Sequence, residues 1–197
     1  MNNVFNNFKI RNFSTLGKSN VLTSNAMITS SHPMVSSVGL EILKNGGNAV
    51  DAALAMNNVL CIAEPHMTGV GGDCFAMLSV DGSTKIRALN GSGRSSGKSK
   101  ASNFRKNNVS IITSEMPEAI TIPGAVAGWD LLHQEHGYMP WKEIFYHAID
   151  LAKNGVKVHE RVAFDWLNNA KKLSLDKDTK KLFLNKGEPF KFTENFK

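Results

Sequence analysis

The chain of 197 residues is 42% apolar and 20% charged, which is enough apolar material for one ordinary core and too little charge for a disordered polypeptide. Its formal net charge of +6 belongs to the ends, because residues 1–20 and 168–197 together carry +7 and the stretch between them carries −1. Basic tails of this kind read as solvated surface, so no nucleic-acid partner is expected. Cys61 and Cys74 both sit in apolar runs with no Cys/His ligand spacing; they read as two buried thiols in a reducing compartment, with no metal and no disulfide. The opening MNNVFNNFKIRNFSTLGKSN has no continuous apolar segment or small-residue cleavage site, and no stretch reaches the ~18 apolar residues of a membrane span. A cytoplasmic protein with no membrane partner is expected.

Residues 1–25 read as a polar extension ahead of a folded unit at 26–197. A short apolar piece at 26–29 reads as a strand. Pro33 then suits the first turn of a helix in which Met34, Val35, Val38 and Ile42 share one side, and Gly46-Gly47 stops it. Asn48 caps a second helix, with Asp51 placed to complement the amide-rich end. That helix is apolar around its circumference to residue 63, so it is expected to be buried on most sides, and Glu64-Pro65 ends it.

The glycine-rich turn at 68–73 leads into a buried strand at 74–80. Asp81-Gly82 is a hairpin signal, and 84–89 returns as the partner strand. NGSGRSSGKSK (90–100) reads as a small-residue loop. Pro123-Gly124 opens a helix bearing Val126, Trp129 and His133, closed by Gly137. Pro140 opens another, with Ile144, Phe145, Ala148, Leu151 and Ala152 in a core-facing stripe that ends at Asn154-Gly155. Residues 159–173 read as one more helix. Beyond Leu173 the chain is Lys-rich and poorly periodic, with no closing apolar element, as a domain cut short would be.

No local pattern assigns a reaction. The glycines at 69–72 lack the Gly-Lys-Ser/Thr that a phosphate cradle needs and lead into a strand, so they are expected to let two backbones approach closely. The six histidines form no HExxH or similar pair, and each reads as a capping, core or surface residue; the His133/His136 spacing is weak evidence for a metal. Gly93-Arg94-Ser95-Ser96-Gly97 fits the GxSxG pattern, but a polar stretch follows where a nucleophile elbow needs a helix, so it reads as a loop.

Three longer motifs carry a resemblance. SSHPMVSSVGLEILKNGGNAVDAALA (30–55), EPHMTGVGGDCF (64–75) and PGAVAGW (123–129), in this order and spacing, resemble the amino-terminal region of the γ-glutamyltranspeptidase family. The resemblance implies an α/β, layered fold, part of the αββα sandwich of N-terminal-nucleophile hydrolases. It implies a precursor that cuts itself, freeing a Thr whose hydroxyl attacks a γ-glutamyl or related amide carbonyl, with no cofactor. No threonine of this chain stands in the family's cleavage context, so no catalytic residue is assigned here. The chain alone is expected to be inactive and to need a small-subunit portion as partner, alongside a small γ-glutamyl or amide substrate. Glutathione-handling members carry an Arg after the second hairpin strand that pairs with the substrate's α-carboxylate. Register places Ser92 there, with Arg94 two residues on, which makes Arg94 the one candidate substrate-binding residue. LNGSGR (89–94) resembles the acylase or amidohydrolase branch more than the glutathione-degrading one, so a small amide such as oxamate is the alternative substrate, and a non-catalytic binding module the alternative of another class.

Overall fold

The computed structural model describes residues 21–197; most of the polar extension, residues 1–20, lies outside the described residues. Helix α1 (Pro33–Lys44) starts with Pro33 in its first turn and buries Val35, Val38 and Ile42. Gly46, at φ 92°, turns the chain through the left-handed conformation that glycine adopts without strain. Helix α2 (Ala49–Ala63) follows. Asn48 Oδ1 accepts from the backbone N–H of Val50 and Asp51 at 2.9 and 3.0 Å, and Asp51 Oδ2 accepts from Asn48 N–H at 2.9 Å. This is a reciprocal capping box. Ala52, Leu54, Ala55, Met56, Val59 and Ala63 are buried because α2 packs against α1, α4 (Ala125–His136) and α5 (Trp141–Asn154).

Asp51 does more than complement a helix dipole. It has no exposed surface, and its carboxylate also accepts from Tyr138 N–H at 3.1 and 3.2 Å and from Met139 N–H at 3.3 Å. Asn48 Nδ2 donates to the His136 carbonyl. The start of α2 is thereby stitched to the turn between α4 and α5, where those backbone groups have no helical partner of their own.

Strands β1 (Cys74–Ser79) and β2 (Ile86–Gly91) pair antiparallel, with Cys74 opposite Gly91 and Ser79 opposite Ile86. Asp81 and Gly82 both have positive φ, 53° and 66°, and Ser83 N–H donates to the Val80 carbonyl at 3.0 Å, the turn whose twist suits a hairpin. The hairpin meets α4 and is covered on one face only. The expectation of a buried β1 is therefore corrected: Phe75 and Met77 are 70% and 79% exposed while Cys74, Ala76 and Leu78 are half-buried. The strand expected at 26–29 does not form, since no ladder partner lies beside it among the described residues. A short helix, α3 (Ala101–Lys106), follows the predicted loop.

The carboxy-terminal region also departs from expectation. The helix expected at 159–173 is two, α6 (Glu160–Asn168) and α7 (Ala170–Leu173), broken at Asn169. Helix α8 (Lys177–Phe183) leads into β4 (Leu184–Asn185), which pairs with β5 (Glu188–Pro189), and β6 (Asn195–Phe196) returns to pair with β3 (Val156–Lys157). A closing apolar element exists after all. Trp166 is buried with the rings of Phe196, Phe183 and Phe190 at 5.1, 5.5 and 6.0 Å. These phenylalanines come from the end of α8, the segment after β5 and β6, so together they show no helical or strand period. The architecture is mixed α+β, as expected, with its strands in two-stranded ladders among the described residues.

Replacing Asp51 with Ala strands several buried N–H groups, and the unfolding free energy from urea titration is expected to fall by about 3 kcal/mol or more. Phe196→Ala is expected to cost about 3 kcal/mol in the same titration, followed by tryptophan fluorescence.

Candidate functional site

Three backbone segments meet where β1 begins and β2 ends. The Gly72 carbonyl accepts from Gly124 N–H at 3.0 Å and Ala125 N–H at 2.9 Å, and so caps α4, whose first turn has no side-chain cap. The segments lie so close that a Cβ on Gly124 would stand 2.3 Å from the Gly91 carbonyl oxygen, and one on Gly93 would stand 1.6 Å from that of Ile122. Only glycine fits at these points. The close approach expected of the glycines at 69–72 thus belongs to Gly91, Gly93 and Gly124. Around Gly69 and Gly71 the space for a Cβ is open, and that turn closes on itself through Gly72 N–H to the Gly69 carbonyl at 3.2 Å.

The loop leaving β2 is fastened at consecutive residues. Asn90 Oδ1 accepts from Ser92 N–H at 3.0 Å, Asp73 Oδ1 accepts from Gly93 N–H at 2.7 Å, and the Arg94 carbonyl accepts from Ile122 N–H at 2.9 Å. Thr121 Oγ1 donates to the same Asp73 oxygen at 3.4 Å. Arg94, the predicted substrate-binding residue, is exposed, and among the described residues its guanidinium has no partner. Its backbone is held while its charge is free. Sequence reasoning passed over Asp73; the signal was an acid following paired glycines at the entry to a strand. The GxSxG match is a loop with no helix until Ala101, so Ser95 stands on no nucleophile elbow.

An open, apolar groove of about 790 Å³ lies behind this junction, lined by 26–30, by Ala53, Met56, Asn57 and Leu60 of α2, and by Cys74, Phe75 and Ala76 of β1. Burial pushes the thiols of Cys61 and Cys74 up from their ordinary value, which keeps them protonated and poor nucleophiles. Both are free of disulfide.

The histidines are used structurally. His133 Nε2 donates to the Met139 carbonyl at 2.7 Å, and His66 Nε2 lies 3.3 Å from Asp165 Oδ2. His32 Nδ1 caps α1 by accepting from Met34 N–H at 3.3 Å, and His159 Nδ1 caps α6 by accepting from Arg161 N–H at 3.5 Å. Their rings lie 4.9 Å apart. Both caps require an unprotonated Nδ1. No group of three or more His, Cys, Asp or Glu suited to a metal occurs among the described residues, and no helix among them is long and apolar enough to cross a membrane.

The sequence profile of the γ-glutamyltranspeptidase family matches residues 35–197. The chain belongs to this family. It is 38% identical over 138 residues to the glutathione hydrolase-like YwrD proenzyme of Bacillus subtilis, a match covering 70% of this chain and 26% of that one. The γ-glutamyltranspeptidase of Helicobacter pylori superposes with a TM-score of 0.82 at 25% identity, covering 90% of this chain and 52% of that chain. The cephalosporin acylase of Bacillus halodurans gives 0.78 at 26% identity, covering 93% and 37%. The chain therefore spans about a quarter to a third of the length of curated relatives it matches, and its α+β fold is that of γ-glutamyltranspeptidases and acylases alike.

Burial, then the neighbouring His159, lower the His32 pKa below its ordinary 6.5, with Glu64 opposing. A base whose folded pKa is depressed leaves stability intact above the unfolded value and loses it as pH falls through that value, because the unfolded chain takes up the proton first. Unfolding free energy is expected to decline below about pH 6.5, by no more than about 1.4 kcal/mol per pH unit for this group. His32→Asn, which keeps a cap acceptor, should flatten that decline in urea titrations at pH 5 to 7.

Proposed function

We propose that this chain is the large-subunit portion of a γ-glutamyltransferase or glutathione hydrolase-like enzyme. The observation that carries the reading is the family match across residues 35–197 combined with a span of 26% of the YwrD proenzyme. The attacking group is an amino-terminal Thr on polypeptide outside these 197 residues. Its hydroxyl adds to the amide carbonyl as its own terminal amine takes the proton, and that proton leaves with the departing amine as an acyl ester forms. Water or an acceptor amine then releases the acyl group.

Exposed apolar surface supports a partner of this kind. Phe75, Met77 and Ile86 share the uncovered face of the β1–β2 hairpin, with exposures of 70%, 79% and 57%, and the apolar groove beside 26–30 adjoins it. Exposed apolar area of this sort marks an interaction surface. In this reading the catalytic portion covers the hairpin and fills the groove, and residues 26–29 gain the ladder partner that a strand requires.

Arg94 is the chain's own contribution to the substrate site. An exposed guanidinium on a fixed backbone suits bidentate pairing with a carboxylate, a group that a γ-glutamyl substrate offers at its α-carbon and oxamate offers beside its amide.

The chain alone should release no aniline from a γ-glutamyl anilide. Joined to a family catalytic portion it should, with Arg94→Ala raising KM about 30-fold, the equivalent of about 2 kcal/mol for a lost charged hydrogen bond. Turnover by the purified 197-residue chain itself, or ammonia release from oxamate with no anilide turnover in the joined enzyme, would contradict the assignment.

A further inference from the structure

Arg94 lies in a loop that has no apolar anchor of its own. SGRSSGK (92–98) holds only small and charged side chains, and an arginine on such a loop would spread over many positions. The freedom lost on ordering it would then be charged against substrate binding. Something other than packing must hold the backbone.

We propose that Asp73 is a positioning residue for Arg94, clamping the 92–94 loop so that the guanidinium is presented in one place. The proposal rests on the reading of Arg94 as the partner of a substrate carboxylate. Asp73 Oδ1 takes the Gly93 N–H at 2.7 Å and the Thr121 hydroxyl at 3.4 Å, so one carboxylate oxygen joins the start of β1, the loop after β2 and the segment before α4. A hydrogen bond to a charged acceptor is about twice as strong as a neutral one. The neighbouring residue also favours a carboxylate here: the Gly72 carbonyl receives the first N–H groups of α4, which puts Asp73 next to the positive end of that helix.

The clamp closes from both sides. Gly93 presses on the Ile122 carbonyl so tightly that no side chain fits, and Ile122 N–H returns to the Arg94 carbonyl at 2.9 Å. The loop is thus gripped immediately before Arg94 by Asp73 and at Arg94 by Ile122. With its Oδ1 spent on these bonds, Asp73 acts through the backbone of Gly93.

The test compares Asp73→Ala, Asp73→Asn and Arg94→Ala by NMR in the chain joined to a family catalytic portion, with L-glutamate as the carboxylate probe. In Asp73→Ala, amide hydrogen exchange at Gly93 is expected to quicken about tenfold or more and the Arg94 side-chain Nε–H to become more mobile. Glutamate binding should weaken about tenfold while the melting temperature stays near that of the parent. Asp73→Asn retains an oxygen acceptor without the charge and should bring both readouts part of the way back, a rescue that a role as a bare charge would not give. Arg94→Ala should abolish the glutamate response yet leave Gly93 exchange slow. Parent-like Gly93 exchange and glutamate affinity in Asp73→Ala overturn the positioning role and leave Arg94 in place. A parent chain that does not respond to glutamate, or an Arg94→Ala chain that responds unchanged, withdraws the premise about Arg94, and Asp73 is then a structural clamp only.

Discussion

A carboxylate with no exposed surface holds the helical half of this protein together. Burying the charge of Asp51 costs several kcal/mol unless donors replace its water, and here the donors are backbone N–H groups of Asn48, Tyr138 and Met139. They come from two places far apart in sequence: the start of α2 and the turn joining α4 to α5. Neither set has a helical partner, so each needs the other. Because α2 is the helix that α1, α4 and α5 all touch, the orientation of α4 follows from this one site. Trp129 on α4 is then fully buried, and the amino end of α4 arrives at Gly72.

That arrival makes the junction beside Arg94. The Gly72 carbonyl caps α4 from outside the helix, and the glycines at 91, 93 and 124 remove the side chains that would keep the three segments apart. Once the backbones are so close, a single acid at 73 reaches both neighbours. The result is a small, tightly bonded corner with the exposed guanidinium of Arg94 at its edge and an uncovered apolar hairpin face alongside. Phe75, Met77 and Ile86 stand together in solvent, and exposed apolar area of this sort is the physical support for the proposal that further polypeptide covers the corner.

Much of the fold was legible because it rests on local rules. Helix α1 and its glycine stop, the Asn48 cap, the Asp81-Gly82 hairpin and the start of α4 each follow from a short pattern of residue types whose conformational preference operates within a few positions. The failures share a different character. The tail from Phe183 to Phe196 gives no periodic signal, since its aromatic residues converge on Trp166 from a helix end, a loop and a short strand, and 26–29 has strand composition with nothing beside it to pair with among the described residues. The close approach expected of the glycines at 69–72 falls instead at Gly91, Gly93 and Gly124, because which glycines are pressed depends on which segments meet.

By itself, then, the sequence determined the family, the α+β class, most of the helix boundaries and the candidacy of Arg94, all of which depend on residue type and spacing along the chain. Only the tertiary structure decided that Asp51 bonds a turn some 87 residues away, that Asp73 grips the loop carrying Arg94, and that His32 faces His159. Hydrogen bonds and close contacts of that kind depend on distances through space, and spacing along the chain carries no record of them until the helices have packed.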